Sequence, residues 1–104
     1  MSAVNLRPDG RLVLEGEIDL AVADELRSVG TDALGELGPR ARLDVDMSGV
    51  TFIDSSGLGA LVSIRNAALA AEREVALVDA APAILRLFEL TGLTASFVFL
   101  PPAG

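Results

Sequence analysis

Residues 42–62 read RLDVDMSGVTFIDSSGLGALV, and within this stretch a strand pattern gives way to a helix pattern. Charged and apolar side chains alternate from Arg42 to Met47, which predicts a strand with one better-buried face. The apolar stretch continues at Val50, Phe52 and Ile53. Leucine and valine then recur at helical spacing. A strand that passes into a helix is typical of α/β folds.

The same alternation of patterns occupies the rest of the chain. The turn Pro8-Asp9-Gly10 separates two short predicted strands, and Gly16-Glu17-Ile18-Asp19 is predicted to interrupt the second one. Gly38-Pro39 is predicted to end the first helix and Gly92 the third. The predicted elements are strands at 4–7, 12–14, 42–47, 75–78 and 97–100, and helices that begin after Asp19, after the segment 54–57 and at Pro82.

This order predicts an α/β fold. Helical connections between strands favour parallel pairing with right-handed crossovers, and the opening hairpin adds an antiparallel edge. We therefore expect a mixed sheet of four to five strands packed with about three main helices.

Composition excludes several kinds of site. The 104 residues contain no cysteine and no histidine, so thiolate metal sites, disulfides and the usual neutral-pH proton shuttle are absent. No apolar run approaches the roughly 20 residues that span a bilayer, and the N-terminus lacks the pattern of a secretory signal. We expect a cytoplasmic protein with no cofactor and no metal.

The formal net charge is −7, which disfavours nucleic acid and anionic membrane surfaces as partners. A protein partner with a basic patch fits this charge better. The charge is equally well explained as a device that keeps a small apolar domain in solution.

The segment Asp54-Ser55-Ser56-Gly57-Leu58-Gly59 is the one unusual local signal. A dinucleotide-binding loop would need a third glycine where Val62 stands, and no Gly-Lys-Ser/Thr follows for a phosphate loop. A hydrolase elbow would need glycine at Ile53 or Asp54, together with a base. Every basic residue is an arginine, whose pKa is too high for a general base. We therefore do not expect an enzyme.

Two interpretations of this segment stay open at the level of residue chemistry. Aspartate and serine before a helix are what its unsatisfied N–H groups attract, so composition alone favours a plain N-cap, with Gly57 and Gly59 permitting close packing. Alternatively, Ser55 is a phosphorylation site at a reachable helix start, and Gly57 keeps the approach open for a large partner. Phosphorylation would then crowd negative charge beside Asp54 and near Asp19, and so end partner binding.

Three motifs, in order and at matching spacing, resemble the anti-sigma factor antagonist family of bacterial single STAS domains. The first is Asp54-Ser55-Ser56-Gly57-Leu58-Gly59 after the strand pattern, and the second is Leu14-Glu15-Gly16-Glu17-Ile18-Asp19. The third, at residues 81–93, is similar to the family's third-helix motif. The resemblance covers almost the whole chain, so we expect residues 1–104 to form a single STAS domain.

The resemblance implies a partner switch. The unphosphorylated antagonist binds an anti-sigma factor that is also a serine protein kinase, and so frees the sigma factor. The kinase phosphorylates the serine after the aspartate, here Ser55, and binding ends; a PP2C-type phosphatase reverses the mark. The expected partner-binding residues are Asp19, Asp54, Ser55, Ser56 and Gly57. Asp19 and Asp54 would orient the loop and shape the kinase contact, or act as caps alone.

One departure and two alternatives accompany this expectation. Family members commonly carry a further C-terminal helix, whereas here Pro101-Pro102 stops the last strand, so we expect Phe97 and Phe99 to be less covered or to lie at a partner or self-association surface. The main alternative is a non-switching STAS subunit of a larger assembly, such as a lipid-transport complex or a sensory scaffold. A nucleotide-binding STAS module ranks last, because Arg65 is the one arginine near the loop.

Overall fold

The computed structural model describes residues 3–38 and 42–102. These residues form five strands and three α-helices, with a short 3-10 helix, Thr94–Ser96, before the last strand. The strands are β1 Val4–Leu6, β2 Leu12–Ile18, β3 Arg42–Ile53, β4 Glu74–Val78 and β5 Val98–Leu100. The helices are α1 Leu20–Gly35, α2 Ser55–Ala70 and α3 Pro82–Leu90.

The strands form one mixed sheet in the order β1-β2-β3-β4-β5. β1 runs antiparallel to β2, and the other three pairs are parallel. Each parallel pair is joined through one of the three helices, as a parallel crossover requires. The predicted α/β architecture, with its antiparallel edge hairpin, is confirmed. The carboxyl ends of β2 to β5 consequently point in one direction.

One face of the sheet carries the core. The register sets Leu12 beside Val45 and Val45 beside Leu77, and all three side chains are fully buried. α1 and α2 contribute the facing residues of the same cluster. They meet closely at Gly30, where a Cβ would lie 2.7 Å from Ile64 Cγ1. This close contact sets the spacing of the two helices just past their midpoints.

β2 is longer than its sequence pattern predicts. The interruption expected from Gly16 to Asp19 is wrong, because β2 continues to Ile18. Gly16 adopts a φ of +76°, and the pairing with β3 shifts register on either side of it. Glycine tolerates this conformation, so a β-bulge absorbs the irregularity without ending the strand. The extension brings Ile18 level with Ile53.

Phe97, directly before the last strand, is better covered than expected. Phe97 is only 7 % exposed, so the expectation of a less covered side chain is wrong for that residue. Phe88 of α3 packs edge to face against Phe97 and Phe99, with ring centroids 5.5 and 5.4 Å apart. Such aromatic pairs add to the stability gained from burial alone. α3 therefore covers the aromatic residues of this edge.

The predicted helix ends are partly confirmed. Gly92 has a φ of +72° directly after the C-cap of α3, as its prediction required. α1 ends at Gly35, before the predicted Gly38-Pro39 stop, and Pro39 lies outside the described residues. Across residues 3–38 and 42–102, none of the helices has both the length and the apolarity to cross a membrane.

Candidate functional site

Two helix starts lie side by side at the carboxyl edge of the sheet. β2 and β3 are parallel neighbours, and Ile18 is paired with Ile53 near their ends. An aspartate follows each strand directly, and a helix follows each aspartate. The backbone N–H of Asp54 donates to the carbonyl of Ile18 over 3.3 Å. This hydrogen bond links the start of α2 to the end of β2. Asp19 and Asp54 are thereby brought together, as predicted.

Both aspartates are N-caps. The carboxylate of Asp54 accepts a hydrogen bond from the N–H of Gly57 over 3.0 Å, and that of Asp19 accepts one from Ala21 over 3.1 Å. Each cap residue has an extended backbone, the conformation that this role requires. The capping prediction for Asp19 is confirmed. In α2 the cap belongs to Asp54, which leaves Ser55 without that structural task.

Ser55 is the first residue of α2 and is exposed. Within residues 3–38 and 42–102 its hydroxyl has no hydrogen-bond partner. Ser56 beside it is half-buried. A hydroxyl that is exposed and not engaged in the fold is available to the active site of another protein. No histidine or lysine in the chain could deprotonate it, since all eight basic residues are arginines.

Gly57 is a packing residue. It is buried, and a Cβ at this position would overlap the carbonyl oxygen of Ile18 and lie 2.8 Å from Ile53 Cγ1. The prediction that Gly57 keeps the approach to the serine open is therefore wrong. The alternative prediction of close packing is right for Gly57, because only a residue without a side chain lets α2 begin against the end of β2.

Gly59 has a different environment. A Cβ there would meet only Arg27 Nη2 of α1, at 3.7 Å, which is an ordinary contact. Arg27 also forms an ion pair of 3.0 Å with Asp24, whose side chain is almost fully exposed. The close-packing interpretation consequently fails for Gly59. Arg27 of α1 thus reaches α2 at Gly59, one turn after Ser55.

The structure shows two exposed apolar residues near these helix starts that the sequence patterns did not identify. Leu20, the first residue of α1, is 76 % exposed, and Phe52, one residue before the end of β3, is 50 % exposed. In the sequence, Phe52 is interpreted only as a continuation of the apolar stretch of the third strand. Leu20 could have been noticed, because it stands outside the apolar stripe of its helix. Phe52 lies in the part of β3 that continues past its pairing with β4. A local sequence pattern does not show where that pairing ends, so it does not predict the exposure of Phe52.

Comparison with known proteins identifies the family to which the chain is similar. The family model described as "Mlab, STAS domain" matches residues 2–101. Among solved structures, an anti-sigma factor antagonist from Mycobacterium paratuberculosis is 29 % identical, with a TM-score of 0.72 over 96 % of this chain and 84 % of that one.

Two further solved structures show the same fold at lower identity. The anti-sigma factor antagonist SpoIIAA in its unphosphorylated form is 18 % identical, with a TM-score of 0.69 over 97 % of this chain and 87 % of that one. The Bacillus cell fate determinant SpoIIAA in its phosphorylated form is 20 % identical, with a TM-score of 0.65 over 92 % and 87 %.

Proposed function

Because this chain belongs to the STAS domain family, we propose that it is an anti-sigma factor antagonist that works as a phosphorylation-controlled partner switch. The observation that carries the proposal is the state of Ser55. Its hydroxyl is exposed and unengaged among the described residues, while Asp54 caps the helix in its place. A serine free of structural duty can be modified without loss of the fold.

The partner supplies the chemistry of the switch. An anti-sigma factor that is also a serine protein kinase binds the unphosphorylated domain and thereby releases its sigma factor. The Ser55 hydroxyl oxygen attacks the γ-phosphorus of the kinase's ATP, its proton passes to a base of the kinase, and ADP leaves. A PP2C-type phosphatase later hydrolyses the phosphoester. The proposal therefore includes a cytoplasmic location, where the kinase finds ATP, and gives the protein no catalytic step of its own.

The surroundings of Ser55 suit a change of charge without a change of fold. A phosphate adds about −1.5 to −2 charge at a helix N-terminus, a position that tolerates anions. Asp54 and Asp19 already bring two carboxylates to the same edge, so a phosphate there makes a negative surface much more negative. In this proposal Asp19, Asp54, Ser55 and Ser56 contact the partner, and buried Gly57 acts by holding α2 in place.

A protein with the same fold has been solved in both states of phosphorylation. SpoIIAA has been solved phosphorylated and unphosphorylated, and both forms superpose on this chain with TM-scores of 0.65 and 0.69. One fold is therefore compatible with either state of that protein, which supports a switch based on surface chemistry.

The test is transfer of phosphate from ATP by purified anti-sigma kinases of the source cell. Intact mass should show one added phosphoryl group, and fragmentation should locate it at Ser55. Ser55→Ala should abolish the transfer, whereas the control Ser56→Ala should retain it. Ser55→Asp should weaken kinase binding in calorimetry.

Two outcomes would contradict the proposal. Phosphorylation that persists in Ser55→Ala would remove Ser55 from the mechanism. A chain that stays unphosphorylated with every such kinase, and is unphosphorylated when isolated from its own cells, would indicate a non-switching STAS subunit of a larger assembly.

A further inference from the structure

Four large apolar side chains are exposed among the described residues, and two of them lie at the carboxyl edge of the sheet. Leu20 and Phe52 are 76 % and 50 % exposed. The other two, Leu69 and Leu90, are 54 % and 71 % exposed and belong to the last turns of α2 and α3. Single exposed apolar residues need no explanation, but two that lie beside the same candidate site suit a surface that one partner covers.

The register places Leu20 and Phe52 within reach of one partner. Leu20 follows Ile18 by two residues, Phe52 precedes Ile53 by one, and Ile18 is paired with Ile53. Backbone and strand spacings then keep their Cα atoms within about 16 Å of each other. A standard interface of about 800 Å² per partner spans that distance easily. Ser55, three residues after Phe52, falls in the same area.

Carboxylates border this surface. Asp19 and Asp54 lie at the two helix starts, Glu17 is exposed and paired in register with Phe52, and Asp24 is exposed on the next turn of α1. Arg27, the nearest arginine along α1, already forms an ion pair with Asp24. A surface that complements this edge must therefore offer apolar contact at its centre and positive charge around it.

We propose that Leu20 and Phe52 are the two apolar anchors by which this edge docks into an apolar pocket, rimmed by arginine or lysine, on the partner kinase. The inference rests on the proposed function and names the two residues that contribute most of the affinity for the kinase. Large apolar side chains in a desolvated centre dominate binding energy, while charges at the rim mainly steer association.

This arrangement also explains why the kinase is released after Ser55 is phosphorylated. A phosphate on Ser55 would enter the area that the anchors keep dry. The partner's positive charges lie at the rim, so they do not replace the hydration that a doubly charged group loses in the centre. Release then follows from desolvation more than from repulsion between charges. Desolvation is insensitive to salt, whereas repulsion across a wet surface is screened.

The experiment is a calorimetric titration of the purified kinase that phosphorylates the wild-type chain. Leu20→Ser and Phe52→Thr should each weaken binding about tenfold or more. Leu90→Ser and Leu69→Ser are the matched controls, because they remove side chains of comparable exposure far from the site, and they should change affinity by less than about twofold. Thermal unfolding of each variant confirms that the fold is retained.

The possible results separate the inference from the proposed function. Anchor variants that bind like wild type, or controls that lose as much as the anchors, would overturn the inference and leave the switch intact. A wild-type chain that no anti-sigma kinase binds or phosphorylates would overturn both. For the phosphorylated chain, binding should stay lost between roughly 0.05 and 0.5 M salt; recovery at high salt would overturn the desolvation mechanism.

Discussion

Gly57 shows at the scale of one residue how a backbone contact shapes the site. The missing side chain lets α2 start against the carbonyl of Ile18, so that Ser55 lies beside the end of β2. The obstructing atom belongs to the backbone of a paired strand, which cannot yield as a flexible side chain would. Gly59 lies two residues further on in the same helix, without such a constraint.

The two glycines should respond to alanine with opposite signs. Gly57→Ala should lower the free energy of unfolding by about 1–3 kcal/mol, because it overpacks a rigid contact. Gly59→Ala should raise it by about 0.5–1 kcal/mol, because alanine favours the helix and has room. Urea denaturation of both variants measures the difference, and equal effects would contradict the packing role of Gly57.

Asp46 is a single carboxylate that makes the stability of the fold depend on pH. Burial raises the pKa of Asp46, but the hydrogen bonds from Ser48 and the charges of Arg11 and Arg7 outweigh it, so this pKa lies below its usual range. The N–H of Ser48 donates to it over 2.9 Å, and Arg11 Nε lies 3.9 Å from its second oxygen. The charged form is thus favoured in the folded state.

The lowered pKa predicts a loss of stability in acid. As the pH falls through about 3.9, the unfolded chain takes up the proton before the folded one does, so the free energy of unfolding declines until the lower folded pKa is passed. Asp46→Asn should flatten the pH dependence of stability between about pH 5 and 3, by a modest amount because the group is partly exposed. The exposed Asp32→Asn serves as control, and a slope equal to wild type in Asp46→Asn would refute the assignment.

At the scale of the element, α2 separates the capping residue from the reactive one. Asp54 satisfies an N–H of the first turn, and Ser55 hydrogen-bonds to none of the described residues. Residue chemistry alone favoured a serine cap, since both residue types perform that task. The position of the helix start, one residue earlier or later, decides between them.

Alanine substitution distinguishes the two roles. Asp54→Ala should cost about 1 kcal/mol of stability, the usual value of an N-cap, and Asp19→Ala should cost a similar amount in α1. Ser55→Ala should change stability by less than about 0.5 kcal/mol. Guanidinium denaturation provides the measurement. A loss in Ser55→Ala as large as that in Asp54→Ala would make the serine part of the cap.

At the scale of the whole molecule, the site needs no movement to change its surface. The first turns of α1 and α2 follow the paired ends of β2 and β3, and the two helices contact each other further along, at Gly30 and Ile64. A phosphate at the start of α2 meets a backbone that is already ordered. We therefore expect phosphorylation to change the structure only near Ser55, while it changes the surface charge strongly.

A chain with phosphoserine incorporated at position 55 tests this expectation without any kinase. Its stability should stay within about 1 kcal/mol of wild type, because the favourable helix terminus opposes repulsion from Asp54. Amide chemical shifts should change around residues 18–21 and 54–59 and remain constant in β4 and α3. Changes throughout the sheet would indicate a conformational switch instead.

The sequence by itself determined the order of elements, the antiparallel opening hairpin, the Asp19 cap and the place of Ser55 at a helix start. These features depend on residues close together in the chain, where periodicity and capping chemistry act. The tertiary structure decided that Asp19 lies beside Asp54, that Gly57 contacts Ile18, and that Phe52 is exposed. Those features depend on strand register, on a bulge at Gly16 and on close approach between backbones, which join residues more than thirty positions apart and leave no local pattern.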